Sequence, residues 1–437
     1  MSIISILIVS ILFVTGIKAD KTFFSPLVSF TFLYLVVFIL SAFGWFGIYL
    51  ASDKAYMLIT LGIIMFAIGT KARKRYSLKN AFFRTGKILD ASDTLNIKHY
   101  KLMLMLCLSV LSFSASMIFL FLLKGGTIGD IYILAAHATD GEDNELTKGG
   151  FQILLESYIA YPLLYLLVPV SLVEFFNSYK KRYLFVAIFL SLLRVGIDAR
   201  RTYLAAFIMM IVICIVMHRK DILYFSKELC DKAKKFQKQS IIWILIFGWI
   251  FIFVSQQRSI AGNGQDDSSI LRTLTYYYGG SVQFFGDCIE TTKINYTLGI
   301  SSLRGFFAPI FGVLNLFGIP SPDLLDDANT YLTFLHAHNM MISPTKEYNS
   351  FATAFFQFYC DGGILGIIIL SFLVGFYAQS IFEKMVVFGS KRAETTYVFF
   401  YSNVMMLSFV NIQTVLALNF WPLILVGFLY HKQSVNE

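Results

Sequence analysis

The chain alternates between long apolar runs and short polar breaks, and that rhythm dominates everything else in it. A membrane-crossing helix needs about 20 mostly apolar residues. Runs of roughly that length fall near 2–17, 25–50, 55–70, 100–123, 152–175, 183–198, 202–217, 241–255, 361–382, 396–413 and 414–430. The pattern predicts an all-α polytopic membrane protein with about eleven spans. The first run lacks a basic leader and a small-residue cleavage site, so it reads as a span and not as a cleaved signal. The breaks are short except for two basic loops, an acidic loop near 124–150, and one polar segment from 256 to 349. This last segment is rich in aromatics, and a turn at Pro320-Ser321-Pro322-Asp323 divides it. It is expected to be a large, partly helical outer loop whose helices fold on themselves or lie on the membrane interface. The whole chain, 1–437, reads as a single membrane domain. Asp361-Gly362-Gly363 interrupts the run that follows the loop and predicts a helix through Tyr359, a kink at the glycines, and then a span.

Composition agrees with this pattern. The chain is 57% hydrophobic and only 14% charged, which a soluble domain of this size cannot bury. The net charge of +9 matters less than its placement. Lysines and arginines crowd 71–101, 180–182, 219–238 and 384–392, which fall on one side if the spans alternate. The positive-inside rule makes that side cytoplasmic, with the N-terminus outside and the C-terminal tail inside. Topology and lipid headgroups account for these basic runs, so no nucleic-acid partner is expected. The cysteines are scattered, and no spacing indicates a metal or redox motif. Cys288 and Cys360 are the only pair placed together on the outer side.

A few arginines fall on the side where that rule disfavours them: Arg194, Arg200, Arg201, Arg258, Arg272 and Arg304. The guanidinium fork suits phosphate oxygens, so Arg194, Arg200, Arg201 and Arg258 are candidates for binding a diphosphate. The alternative is that Arg194 pairs with Asp198 one turn on and the others reach water. His336 and His338 are candidate general bases, with Asn339 beside them. Their spacing invites a metal, but no further ligands lie near, so neither metal nor cofactor is expected. Asp361 is either a third catalytic candidate or a helix cap. Glu347 and Asp326-Asp327 are weaker acid candidates. Tyr348, Asn349, Tyr277 and Asn339 are candidates for sugar contact, although the tyrosines suit an interfacial belt equally well. His137 and the acids at 140–145 read as a solvated loop. No Walker or GxGxxG motif points to a nucleotide-linked donor.

The layout resembles the Wzy-type polymerases of oligosaccharide repeat units, which make O-antigen and capsule. The residues that carry the resemblance are Asp198-Ala199-Arg200-Arg201-Thr202-Tyr203-Leu204, Arg258 at the loop entrance, and Asn349 through Gly366 at its exit. His336-Ala337-His338-Asn339 also resembles the His-Asn loop of the related O-antigen ligases. The resemblance implies a metal-independent glycosyltransferase in a bacterial inner membrane. Its donor is a glycan on undecaprenyl diphosphate, its acceptor a second lipid-linked unit, and its partner a Wzz-like co-polymerase that sets chain length. The alternatives are a ligase that moves glycan to a lipid core, a lipid-oligosaccharide flippase, and a non-catalytic scaffold.

Overall fold

The computed structural model describes residues 1–74, 93–139, 147–198, 201–218, 231, 236, 245–250, 252–253, 270–348, 352–408 and 416–432. Among the described residues, five helices are long and apolar enough to cross a membrane: Ser2–Asp20, Asp53–Arg73, Ile97–Leu123, Gly150–Ser178 and Ala354–Phe388. Pro26–Ala42, Thr202–His218 and Ala417–Leu429 are apolar but shorter. The protein is mostly helical, with a few short strands that the sequence pattern did not predict. The chain divides into two compact units, one of residues 1–93, 268–421 and 432–437, the other of 94–267 and 422–431.

In the first unit, Ser2–Asp20 and Asp53–Arg73 run in the same direction. The terminal ammonium meets Asp53 at 3.0 Å at one end, and Lys74 Nζ meets the buried Asp20 at 2.5 Å at the other. Ala354–Phe388 runs parallel to Asp53–Arg73. Phe355 faces Gly62, Phe372 faces Gly69, and Glu383 pairs with Arg73 at 3.3 Å. The two helices cross closely because glycine meets backbone on both sides. A Cβ at Gly69 would lie 2.2 Å from the Phe372 carbonyl oxygen, and one at Gly375 would lie 2.2 Å from that of Phe66. Ile3, Leu7 and Ile11, four residues apart, stay exposed along Ser2–Asp20, as a lipid-facing stripe requires.

The two ends of this unit differ in chemistry. Lys71, Arg73, Lys74, Lys384, Lys391 and Arg392 gather at the end where Asp53–Arg73 finishes. The opposite end carries the polar segment 270–348, folded as helices Ile270–Leu274, Gly280–Thr291, Arg304–Asn315 and Asp323–Ala337 and a hairpin. Tyr49 N–H donates to Ile342 O at 2.8 Å and seats the hairpin on the residues that precede Asp53–Arg73. The expected break in the long helix is present: Gly362 and Gly363 leave helical geometry (φ −173°, ψ 29° and φ 60°, ψ −136°).

The second unit is built around Gly150–Ser178, which is buried along most of its length and packs against Ile97–Leu123 and Lys181–Asp198. It contains a π turn at Glu156–Ala160. Such a turn adds a residue to the helical ladder and re-aims the side chains around it.

Candidate functional site

The segment 270–348 brings an acid and a histidine together. Gly279 lies against the Leu40 backbone and Gly286 against Ser52 and Ala55, so close that a Cβ at either glycine would come within 3.1 Å of them. These contacts let Gly280–Thr291 lie over the ends of Pro26–Ala42 and Asp53–Arg73, with Asp287 near its last turn. Asp323–Ala337 buries Leu325, Ala328, Tyr331 and Leu335, a stripe at helical spacing. Tyr331 staples it down, accepting from Asn295 N–H at 2.6 Å and donating to Asn295 O at 2.8 Å. His338 leaves this helix with extended backbone, while its N–H still donates to Phe334 O at 2.7 Å.

His338 Nε2 meets Asp287 Oδ2 at 2.5 Å. The imidazole stacks on Phe334 (centroids 4.7 Å apart, planes 18°) and leans on Phe284 at 5.8 Å. The ring is therefore fixed by a carboxylate at one nitrogen and by aromatic faces. At 23% and 29% exposure, the His338 and Asp287 side chains remain within reach of a ligand. A carboxylate that orients a histidine and stabilises its protonated form is the standard arrangement for a general base. His336 is exposed on the last helical turn and is not part of this pair. Asn339 is exposed next to His338. Cys288, beside Asp287, is a buried free thiol whose pKa burial pushes up, which makes it a poor nucleophile. Cys360 is likewise a free buried thiol, so the two are not bridged.

Asp361 does not cap the helix that follows it, and its carboxylate is fully engaged. Five donors converge on it: Thr297 Oγ1 (2.6 Å), Gly299 N (3.0 Å), Ser301 N (2.8 Å), Ser302 N (3.0 Å) and Ser302 Oγ (2.5 Å). This buried anion ties the turn 297–302 to the kink at Gly362-Gly363, a holding role that leaves no lone pair facing a substrate. Tyr348 is also internal. It is buried beside Gly280, edge-on to Phe284 at 5.6 Å, and its hydroxyl donates to Tyr277 O at 2.8 Å. Burial raises its phenol pKa well above the usual value. Its ring therefore packs the hairpin against the helix below and offers no face to a sugar. Tyr277 is half-buried.

Arg200, Arg258 and Asn349 lie outside the described residues, and Arg201 is described only as the first residue of Arg201–His218. Arg194 is 2% exposed, with its guanidinium 3.8 Å from the centre of the Tyr161 ring. Tyr161 in turn donates to Glu156 Oε2 at 3.0 Å. Glu156 also receives Lys148 Nζ at 2.6 Å, Gln152 Nε2 at 2.7 Å and Ser114 Oγ. Arg194 thus belongs to a buried polar cluster inside the second unit, not to an open anion cradle. Of the remaining outer arginines, Arg272 Nε donates to Tyr276 OH at 3.0 Å and Arg304 Nε to Asn329 Oδ1 at 2.7 Å.

The chain matches no family model, no curated protein and no solved structure.

Sequence reading missed Asp287 and Glu156. Asp287 lies 51 residues before its histidine and carries no local signal. Glu156 did carry one, since an acid inside an apolar run is costly unless it is partnered or functional.

Proposed function

We propose that this protein is a membrane glycosyltransferase that polymerises oligosaccharide repeat units held on undecaprenyl diphosphate. The observation that supports this reading is the Asp287–His338 pair, held at the end of the first unit opposite the cluster of Lys71, Arg73, Lys74, Lys384, Lys391 and Arg392. By the positive-inside rule that end is extracytoplasmic. No nucleotide sugar is available there, so a sugar donor must arrive already activated on a lipid. The full reading includes about eleven spans, an outward N-terminus and a cytoplasmic C-terminus.

In the proposed reaction His338 takes the proton of an acceptor hydroxyl at the non-reducing end of a lipid-linked unit. The hydroxyl oxygen forms the new bond to the anomeric carbon of the donor glycan. The bond from that carbon to the diphosphate breaks, and undecaprenyl diphosphate leaves with the electron pair. Asp287 fixes the imidazole and stabilises its charge once protonated. Arg200, Arg201 and Arg258 are proposed to steady the leaving diphosphate on the chemistry of the guanidinium group. Arg194 positions its helix through Tyr161 and is not proposed as a diphosphate ligand. Asn339, exposed beside the pair, is the proposed sugar contact. A chain-length co-polymerase is a proposed partner on the resemblance alone.

The test is a gel of surface polysaccharide from cells lacking the gene, with and without complementation. The proposal expects loss of the ladder with single repeat units still attached to their anchor. Long chains accumulating on the carrier lipid would instead indicate a ligase, and units trapped in the cytoplasmic leaflet a flippase. An unchanged ladder would remove the glycan reading.

A further inference from the structure

The helix Arg304–Asn315 and the turn before it present an apolar face that the first unit does not cover. Ile310 and Val313 fall on one helical stripe and are 36% and 50% exposed; Leu316 and Phe317, in the turn that follows the helix, are 65% and 76% exposed and Leu298, in the turn before it, 79%. Scattered exposed apolar residues are ordinary, but a contiguous set on an amphipathic helix marks a contact surface. Its position in the fold identifies the contact. The turn is bound to the start of the spanning helix: Thr297 N–H donates to Cys360 O and Leu298 N–H to Asp361 O, each at 3.0 Å. Just beyond the kink, Ile364, Leu365, Ile369 and Leu373 are all exposed on that helix, in the manner of a lipid-facing surface. Gly363 is the level at which the two meet, since a Cβ there would lie 2.8 Å from the Tyr296 hydroxyl. The first turn of Arg304–Asn315 rests on Leu416 and Trp421; Gly305 abuts the Leu416 backbone, and Phe306 stacks on Trp421 at 5.5 Å. The exposed face therefore continues the lipid-facing surface of the spans at the height where they begin. Its charge fits as well: residues 292–322 contain Lys293 and Arg304 and no acid.

We infer that Arg304–Asn315 is an in-plane membrane helix, with Val313, Leu316 and Phe317 sunk into the leaflet nearest the 270–348 segment. Its apolar face lies at the boundary between headgroups and acyl chains, the usual depth for such helices. This assignment is independent of the polymerase reading. It also explains how the Asp287–His338 pair would be held at a fixed height above the bilayer, because Arg304 Nε bonds Asn329 on the helix that ends at His338.

The experiment uses the unaltered chain in phosphatidylethanolamine–phosphatidylglycerol vesicles containing a phospholipid with a photoactivatable diazirine in its acyl chain. After irradiation, adducts are mapped by mass spectrometry. Adducts on 310–319 are expected at a yield within a few-fold of those on 364–373, which serve as the internal lipid-facing standard. The exposed Thr330 and Thr333 on the following helix should show loss of signal to background. Background yield on 310–319 with strong labelling of 364–373 would overturn the assignment, whether water or a second protein covers the face.

Discussion

Asp361 and His338 are both buried or half-buried polar residues with short contacts, yet their partners give them different tasks. A carboxylate that receives three backbone N–H groups and two hydroxyls is an organising anion. Asp361→Asn replaces one acceptor oxygen with a donor facing donors. It should cost on the order of 2–4 kcal/mol, read as a lower melting temperature in detergent. Activity loss at an unchanged melting temperature would instead give Asp361 a chemical role. His338 has a carboxylate at one nitrogen and is partly open, which suits proton transfer. Asp287→Asn should therefore lower turnover by roughly 10²-fold or more while the fold persists. An effect confined to acceptor KM would make Asp287 a binding residue. The sequence identified His338 as a candidate because histidine titrates near neutral pH, but nothing local could show that its partner was Asp287. Tyr348 misled for a related reason. An aromatic beside a polar loop looks the same in sequence whether its ring faces a sugar or plugs a gap beside Gly280.

Among the elements, the apolar runs and the glycine kink were readable because each depends on local composition. Length and hydropathy mark a span, and Gly362-Gly363 marks the interruption of the long helix, where Gly363 takes a positive φ that favours glycine. The π turns at Glu156–Ala160, Thr275–Gly279 and Phe400–Ser408 were not readable, because an extra residue in a helical ladder is set by tertiary packing. The hairpin Met340–Ser343 with Lys346–Tyr348 escaped notice as well, since its strands are too short for alternation to show. The parallel crossing of Asp53–Arg73 and Ala354–Phe388 depends on glycine against backbone, which cannot move aside as a side chain can. Gly69→Leu should thus destabilise by about 1–3 kcal/mol or more, seen as reduced yield and melting temperature in detergent. A variant as stable as the parent would show that the two helices can separate at little cost.

At the scale of the molecule, the first unit has Lys71, Arg73, Lys74, Lys384, Lys391 and Arg392 gathered at one end and the folded polar segment, which mixes acids with a few cations, at the other. That polarity gives the orientation its basis and yields a direct check. A cysteine at Asn339 should react with a membrane-impermeant thiol reagent added to intact cells with their outer surface opened, whereas one at Lys391 should react only after lysis. The reverse pattern would put the histidine pair on the cytoplasmic side and remove the reason for a lipid-linked donor. The central claim is that Asp287 and His338 together draw the proton from an acceptor sugar. Its most direct test is the purified protein in vesicles with lipid-linked repeat units, following undecaprenyl diphosphate release and chain growth for the parent, His338→Ala, Asp287→Asn and the double variant. The account predicts that His338→Ala loses roughly 10²–10⁴-fold in rate and that adding Asp287→Asn costs little more, because the two act as one unit. Full chain growth by His338→Ala would contradict it.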